Sequence, residues 1–497
     1  MFSPLLPPQK PWPYDMHAPT DEQARVRSAA VDLLQEPRGI IKTLAGAGCG
    51  KTTTLIGSAA DCKKAGATRL CYLALNKPLV ETGQESFKNL AIVKTFNALA
   101  YEGANVANSN RKIGNIYPAQ VVEAFGLQSK RLPTDVSTFA RIVLAVVSGF
   151  CQSSATEISA SHLPYWVKDA TVAALALKYA SVLFQAACPG VNTNLPLPHD
   201  LYVKAWQLRG CPGLGQYDFV FLDEAQDAAG VTLSCLAYAK RACYVGDAAQ
   251  QIYAFRGAQD AMLKVPGRTY PLSLSFRFGE EIAEAANRVI SSKSNRSVVL
   301  LRGLPGKGST IGPIQRGEAQ TRIFRTNTSV LKEALNLSDL GVTTQIVGDM
   351  SEMRHKIEGA YSLLKGATHE VKHPAFQQFK NWDELEGWMY RNQDTEITQI
   401  ANLVKAYVRR IDALLKICSK QPSSGEVRLI TAHRAKGCEW DNVVIGQDFD
   451  ERLDGLLLNG RSRSPQADEE LNLLYVALTR TRKRLESKSE ALKAILK

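Results

Sequence analysis

The segment Ala45-Gly46-Ala47-Gly48-Cys49-Gly50-Lys51-Thr52 limits what this chain can fold into more than any other. It follows the apolar run Ile40–Leu44 and precedes a helical pattern over Thr53–Ala60. Glycines let backbone N–H groups turn inward around an anion, and a helix that follows presents its positive N-terminus to the same point. The pattern is that of a phosphate-binding P-loop, with Ala45 where the first glycine usually stands. Gly46, Ala47, Gly48, Cys49 and Gly50 would form the cradle, and Thr53 would sit in the first helical turn. Lys51 is placed to contact the β- and γ-phosphates of a nucleotide, and the Thr52 hydroxyl to hold Mg²⁺. A plain glycine-rich strand–helix turn would need neither residue.

A second set of chemically suited residues lies in Phe219-Val220-Phe221-Leu222-Asp223-Glu224-Ala225-Gln226-Asp227. Four apolar residues read as a buried strand, and the acids emerge at its C-terminal end, where α/β sheets bind ligands. Asp223 would complete the Mg²⁺ site with Thr52, and Glu224 would polarise an attacking water. Taken alone, the run also reads as an acidic helix N-terminus. Asn76-Lys77-Pro78-Leu79 starts like a guanine-reading Asn-Lys-x-Asp but has Leu79 in the Asp position, which disfavours a guanine-specific switch. Lys51 and Asp223 lie farther apart in the chain than a minimal nucleotide-binding domain requires, so a helical insertion is implied.

Short apolar strands recur in two zones. Ile40–Leu44, Leu70–Leu75, Phe219–Leu222 and Cys243–Val245 form the first; Ile323-Phe324, Val342–Val347, Val427–Ile430 and Val443–Ile445 form the second. Alternation of such strands with helices predicts an α/β fold with parallel sheets covered on both faces. The expected organisation is a Pro-rich arm over 1–19, a first lobe over 20–100 plus 206–268, and a helical insertion over 101–205. A second lobe over 269–329 plus 423–497 and a short insertion over 330–422 follow, with an exposed loop at Gly303–Gly317. Lys and Arg number 60 against 48 Asp and Glu, a net charge of +12 that suits a polyanion partner without naming one. None of the ten cysteines stands in a C-x-x-C pair, so zinc ribbons and iron–sulfur clusters lose their usual spacing. A reducing intracellular compartment is the default expectation. No secretory pattern is present, and apolar stretches such as Ile142–Val147 and Val172–Leu177 are expected to be too short to cross a bilayer.

Further motifs follow in order. They are Thr20-Asp21-Glu22-Gln23, Lys94-Thr95-Phe96-Asn97-Ala98-Leu99-Ala100, and Pro198-His199-Asp200-Leu201-Tyr202 through Trp206-Gln207-Leu208. Next come Gly246-Asp247-Ala248-Ala249-Gln250-Gln251-Ile252-Tyr253-Ala254-Phe255-Arg256-Gly257-Ala258 and Ser275-Phe276-Arg277. Thr431-Ala432-His433-Arg434-Ala435-Lys436-Gly437-Cys438-Glu439-Trp440 and Tyr475-Val476-Ala477-Leu478-Thr479-Arg480 complete the set. With the loop at Lys51 they resemble superfamily 1 helicases of the UvrD/Rep type, and within them most the F-box DNA helicase subfamily, from about Thr20 to Leu485. The resemblance implies two RecA-like P-loop lobes with helical insertions, and ATP and Mg²⁺ as cofactors. It also implies an ATP-dependent single-stranded DNA translocase and 3′→5′ DNA helicase, acting on single-stranded and tailed duplex DNA in repair, recombination or replication.

By the same resemblance Gln23 reads an adenine edge, Phe276 stacks on adenine and Glu439 contacts the ribose. Thr95, Phe96 and His433 fall among the nucleic-acid contacts. Gln250, just after a strand, would sense the γ-phosphate. Arg277 and Arg480, in the second strand-rich zone, would stabilise charge on the transferring phosphoryl group from a facing lobe. Tyr253 and Phe255 offer rings to unpaired bases, with Arg256 as a neighbouring cation, or else belong to the core; stacking is worth roughly 1–3 kcal/mol per base. Such contacts serve RNA as well as DNA. Asn97 stands where the family usually has His, and Leu75 where an aromatic is common.

No F-box-like segment is expected ahead of Gln23, and no nuclease domain after Arg480. The expected location is intracellular, cytoplasmic in a prokaryote or nuclear in a eukaryote, with no membrane partner. Two other readings stand beside helicase action: a translocase that strips proteins from DNA with little unwinding, and a nucleotide-dependent binding switch. His369-Glu370-Val371-Lys372-His373 matches H-E-x-x-H, but Pro374 and Gly366 argue against the helix that a zinc site would need. Beyond Arg480, the basic run Arg482-Lys483-Arg484 reads as a solvated face or a phosphate contact.

Overall fold

A computed structural model of the chain describes residues 18–75, 77–128, 132–252, 262, 265–294, 299–315, 317–391, 395–419, 424–453, 457–458, 461–462 and 464–497. The chain divides into a first compact unit that ends at Ser273 and a second built from Leu274 onward.

The strands of the first unit are β1 (Gly39–Ala45), β2 (Leu70–Ala74), β3 (Ile92–Thr95), β4 (Phe219–Leu222), β5 (Arg241–Gly246) and β6 (Arg268–Leu272). They form one parallel sheet in the order β3-β2-β4-β5-β1-β6. Every residue of β2 and β4 is buried, as a sheet covered by crossover helices on both faces requires. In this order β1 and β4 are one strand apart, so their C-terminal ends deliver Lys51 and Asp223 to the same edge of the sheet. Thr20 caps helix Asp21–Leu33. Its hydroxyl accepts from Gln23 N–H, while Gln23 Oε1 accepts from Thr20 N–H, a reciprocal cap.

The segment between β3 and β4 is largely helical, as its pattern predicts. Helices Val136–Gln152 and Ala170–Ala187 pack on one another within the core of the first unit. The second of these is, by length and composition, long and apolar enough to cross a bilayer, contrary to the sequence expectation. Its Val172, Ala176, Ala180, Leu183, Phe184 and Ala187 are buried in the protein, so the helix already has a packed face. Lys204, fully buried, donates to Ser153 O and Ala155 O, and its Nζ lies 4.3 Å from the Phe150 ring centroid. Burial pulls its ammonium down to about 8.

The second unit repeats the plan. β7 (Thr310–Ile311), β8 (Gln320–Phe324), β9 (Thr344–Ile346), β10 (Val427–Thr431), β11 (Trp440–Ile445) and β14 (Thr481–Ser487) form a parallel sheet in the order β7-β14-β11-β8-β10-β9. A separate hairpin pairs β12 (Leu457–Leu458) with β13 (Arg461–Ser462).

Two expected boundaries move. The first sheet runs on to Leu272 because β6 is an edge strand. It carries Pro271 and has one fully buried residue, so it lacks an apolar signature. The region 330–422, expected as an insertion, contributes β9 to the second sheet. Its helices Ser351–Leu364, Glu396–Ala406 and Ile411–Ser419 share one apolar core with Phe324, Val427 and Leu429.

One tight contact in the first unit gives a test. A Cβ on Gly103 would lie 2.1 Å from Trp206 Nε1, an atom that donates to Pro212 O at 3.0 Å in the core. Gly to Ala ordinarily gains about 1 kcal/mol in a helix, whereas overpacking costs about 1–3 kcal/mol. Gly103→Ala is therefore expected to lower the unfolding free energy of the chain, as measured by denaturant titration.

Candidate active site

The loop after β1 is tied down through backbone groups. Gly46 N–H donates to Leu272 O of β6 at 3.1 Å. Gly48 and Gly50 have φ of 75° and 72°, a region that side chains avoid. Gly50 is the N-cap of helix Lys51–Lys64 and has no capping side chain. The amide groups at this helix end are thus available to an anion in the loop. Burial pushes the Cys49 thiol up to about 12, so it stays neutral beside Lys51.

Asp223 follows the last residue of β4 and is 1% exposed. Its Oδ2 accepts from the Thr52 hydroxyl at 2.7 Å and from the Tyr72 hydroxyl at 2.9 Å, and its Oδ1 accepts from Glu224 N–H at 2.9 Å. Burial, reinforced by Glu224, pushes the Asp223 carboxyl up, while Thr52, Lys51 and Tyr72 oppose that shift. A hydroxyl touching a carboxylate supplies the hard oxygen donors that Mg²⁺ prefers. Thr52 and Asp223 fit that ion.

Glu224 sits in the left-handed region at φ 53°. Its Oε2 accepts from Gln226 Nε2 at 2.5 Å, Gln226 Oε1 accepts from Asp247 N–H at 3.0 Å, and Asp247 Oδ2 accepts from Gln250 Nε2 at 2.7 Å. One hydrogen-bonded chain therefore joins the end of β4 to the turn after β5. Gln250, expected to sense phosphate, is 4% exposed and turned toward Asp247. Gln23 is buried with Oε1 engaged in the helix cap, so any contact with a base falls to its amide nitrogen. Glu22 accepts from the Ser273 N–H and hydroxyl, both at 2.7 Å, which ties this helix to the end of the first sheet.

In the second unit, Arg277 Nε donates to Glu439 Oε2 at 2.8 Å and Nη1 donates to Thr479 O at 2.9 Å. Burial pushes the Glu439 carboxyl up, but Arg277, with Arg482 and Arg480, outweighs it and holds the group below its ordinary range. Half-buried Phe276 accepts at its carbonyl from Lys307 Nζ at 2.7 Å. Arg480 is 1% exposed, and its guanidinium is turned into its own unit. It donates to Val476 O at 2.8 Å, Cys438 O at 3.3 Å and Thr479 Oγ1 at 3.1 Å. As placed, it braces the end of helix Pro465–Leu478 against the start of β11, a structural duty that the sequence did not signal.

Other expected residues are placed differently. Phe96 is 4% exposed and packs against Trp206, with ring centroids 5.8 Å apart at 62°. It is a core residue in this structure, and the expectation that it touches nucleic acid is corrected on that ground. Thr95 is half-buried and caps helix Phe96–Gly103 by accepting from Ala98 N–H. His433 is half-buried on the short helix Ala432–Ala435. Tyr253, Phe255 and Arg256 lie outside the described residues. Arg482 and Lys483 pair with Asp441 at 2.7 and 2.8 Å, and Arg484 pairs with Glu318 at 3.3 Å, which favours the solvated-face reading of that run. His369 lies in a 3-10 turn and His373 caps the next helix, so no helix presents the two on one face.

Three residues around the site were not singled out from sequence. Gln226 and Asp247 stand inside quoted motifs, but only the fold shows that they connect Glu224 to Gln250. Tyr72 lies in a wholly apolar-looking strand and reads there as core. Arg480 generates a test: deleting its side chain leaves buried acceptors without partners, at about 1–3 kcal/mol each. Arg480→Ala is expected to lower the thermal unfolding temperature of the chain. Arg277→Ala, which removes a more exposed guanidinium, is expected to lower it less.

A UvrD/REP helicase N-terminal domain model matches residues 214–270, and a UvrD-like helicase C-terminal domain model matches residues 350–487. The chain is 28% identical over 514 residues to F-box DNA helicase protein 1 of Schizosaccharomyces pombe, covering 94% of this chain and 57% of that protein. It is 29% identical over 506 residues to F-box DNA helicase 1 of Gallus gallus, covering 93% of this chain and 48% of that protein. The chain thus spans about half the length of these relatives. Among solved structures, a PRRSV helicase aligns at 11% identity and a TM-score of 0.32, covering 93% of this chain and 54% of that one. Arterivirus nonstructural protein 10, a helicase, aligns at 11% identity and a TM-score of 0.34, covering 95% and 64%.

Proposed function

We propose that this chain, a member of the UvrD/REP-type helicase family, is an ATP-dependent DNA helicase that moves along single-stranded DNA with 3′→5′ polarity. The observation that carries the reading is the 2.7 Å Thr52–Asp223 pair beside Lys51, at the C-terminal edge of a parallel sheet. The loop amides and Lys51 bind the phosphates. Thr52 and Asp223 hold Mg²⁺, which when bound offsets charge on the phosphate oxygens. Glu224 orients the attacking water, and Gln226 holds its carboxylate. Gln250 reports on the γ-phosphate through the chain that ends at Glu224. Arg277, paired with Glu439, stabilises charge on the transferring phosphoryl group.

Unwinding needs turnover coupled to the strand. The excess of basic residues suits a polyanionic track, with Thr95, His433, Tyr253, Phe255 and Arg256 as the proposed contacts. Lys51→Ala is expected to cut DNA-stimulated ATP hydrolysis by about 10²–10³, the usual cost of losing one charge-stabilising donor, and to abolish strand displacement with thermal unfolding unchanged. Wild-type protein is expected to displace strands from 3′-tailed duplexes. Displacement from 5′ tails alone would reverse the polarity. Fast DNA-stimulated turnover without strand separation would favour protein stripping, and turnover indifferent to DNA would sink the proposal.

A further inference from the structure

We infer that Tyr72 is a positioning residue for the magnesium site: its buried hydroxyl fixes the orientation of the Asp223 carboxylate. The inference rests on the reading of Thr52 and Asp223 as metal ligands, and adds to it a residue that is not itself a ligand.

Tyr72 lies mid-strand in β2, paired in register with Phe221 of β4. It is 1% exposed, and its ring stacks on Phe87 with centroids 4.3 Å apart at an interplanar angle of 27°. A phenol in such a setting has its hydroxyl placed by the ring, and a buried Tyr O–H must find an acceptor. That acceptor is Asp223 Oδ2 at 2.9 Å.

Asp223 is anchored three times, by Thr52, Tyr72 and Glu224 N–H. Thr52 is itself an expected ligand, so its hydroxyl has a second claim on it once a cation arrives. The backbone donor holds Oδ1 alone. Tyr72 is therefore the side chain that keeps Oδ2 from rotating about the Cβ–Cγ bond when Thr52 re-aims. Groups that orient a ligand from behind in this way typically govern metal affinity by about 10–100-fold. The stacked ring supplies the rigidity, since neither Tyr72 nor Phe87 has exposed surface.

The test compares the wild-type chain with Tyr72→Phe, which keeps the ring, the stack and the burial and removes one oxygen. Mn²⁺ serves as the probe, titrated by electron paramagnetic resonance against the ADP-bound protein, with Mg²⁺ competing. Tyr72→Phe is expected to weaken metal affinity by about 10–100-fold, to leave metal-free ADP binding within twofold, and to regain wild-type kcat at saturating Mg²⁺. Phe87→Leu, which loosens the stack but keeps the hydroxyl, is expected to weaken metal affinity in the same direction by a smaller factor. Metal affinity of Tyr72→Phe within twofold of wild type overturns the inference, as does a kcat that stays low at saturating metal with affinity unchanged. If wild type binds no metal with ADP, the reading of Thr52 and Asp223 as ligands fails first, and this inference fails with it.

Discussion

The arrangement of the first unit depends on placing one carboxylate, Asp223, at the buried end of β4 within reach of the loop after β1. Burying a charge is costly unless it is hydrogen-bonded on all sides, and Asp223 accepts from Thr52, Tyr72 and Glu224. Each donor comes from a different element: the loop helix, the neighbouring strand β2 and the turn that follows. The strand order brings them together because β2 and β5 flank β4, while β1 lies beyond β5. A site built this way is sensitive to the sheet's register, since a shift of one residue would turn Tyr72 to the opposite face.

From Asp223 the polar structure spreads along the same edge. Glu224 takes a left-handed backbone conformation and hands its carboxylate to Gln226, which in turn meets the backbone of Asp247. Asp247 both caps its own turn and holds Gln250. Buried networks of this kind are favourable only when their members are satisfied. The chain from Glu224 to Gln250 links the residue proposed to orient water with the residue proposed to meet phosphate.

The second unit handles its charges differently. Arg277 and Glu439 form an ion pair, and Arg480 is spent on carbonyl and hydroxyl oxygens of its own unit. A guanidinium has five donors in a fixed fork, enough for Arg277 to hold Glu439 and Thr479 at once. Arg480 is placed first as a brace between helix Pro465–Leu478 and β11.

Much was legible in the sequence where local chemistry decides. The loop at Lys51 needs glycines and a following helix in contiguous order, and Phe219–Leu222 is apolar throughout because both faces of its strand are covered. Thr20 and Gln23 announce a helix start by their spacing alone. Partnership across the fold was not legible. Tyr72 looks like any core aromatic until β2 is laid beside β4, and Phe96 looks like a contact residue until Trp206 arrives from the far side of the helical segment. The polar edge strand β6 carries no apolar signature, and β9 hid among helices. Sequence by itself determined which groups could hold a phosphate, because the glycines, Lys51 and the following helix are neighbours along the chain; it offered Thr52 and Asp223 for a cation, but their meeting depends on strand order. Tertiary structure alone decided which side chains face each other, because that depends on strand order and burial, which no local spacing encodes.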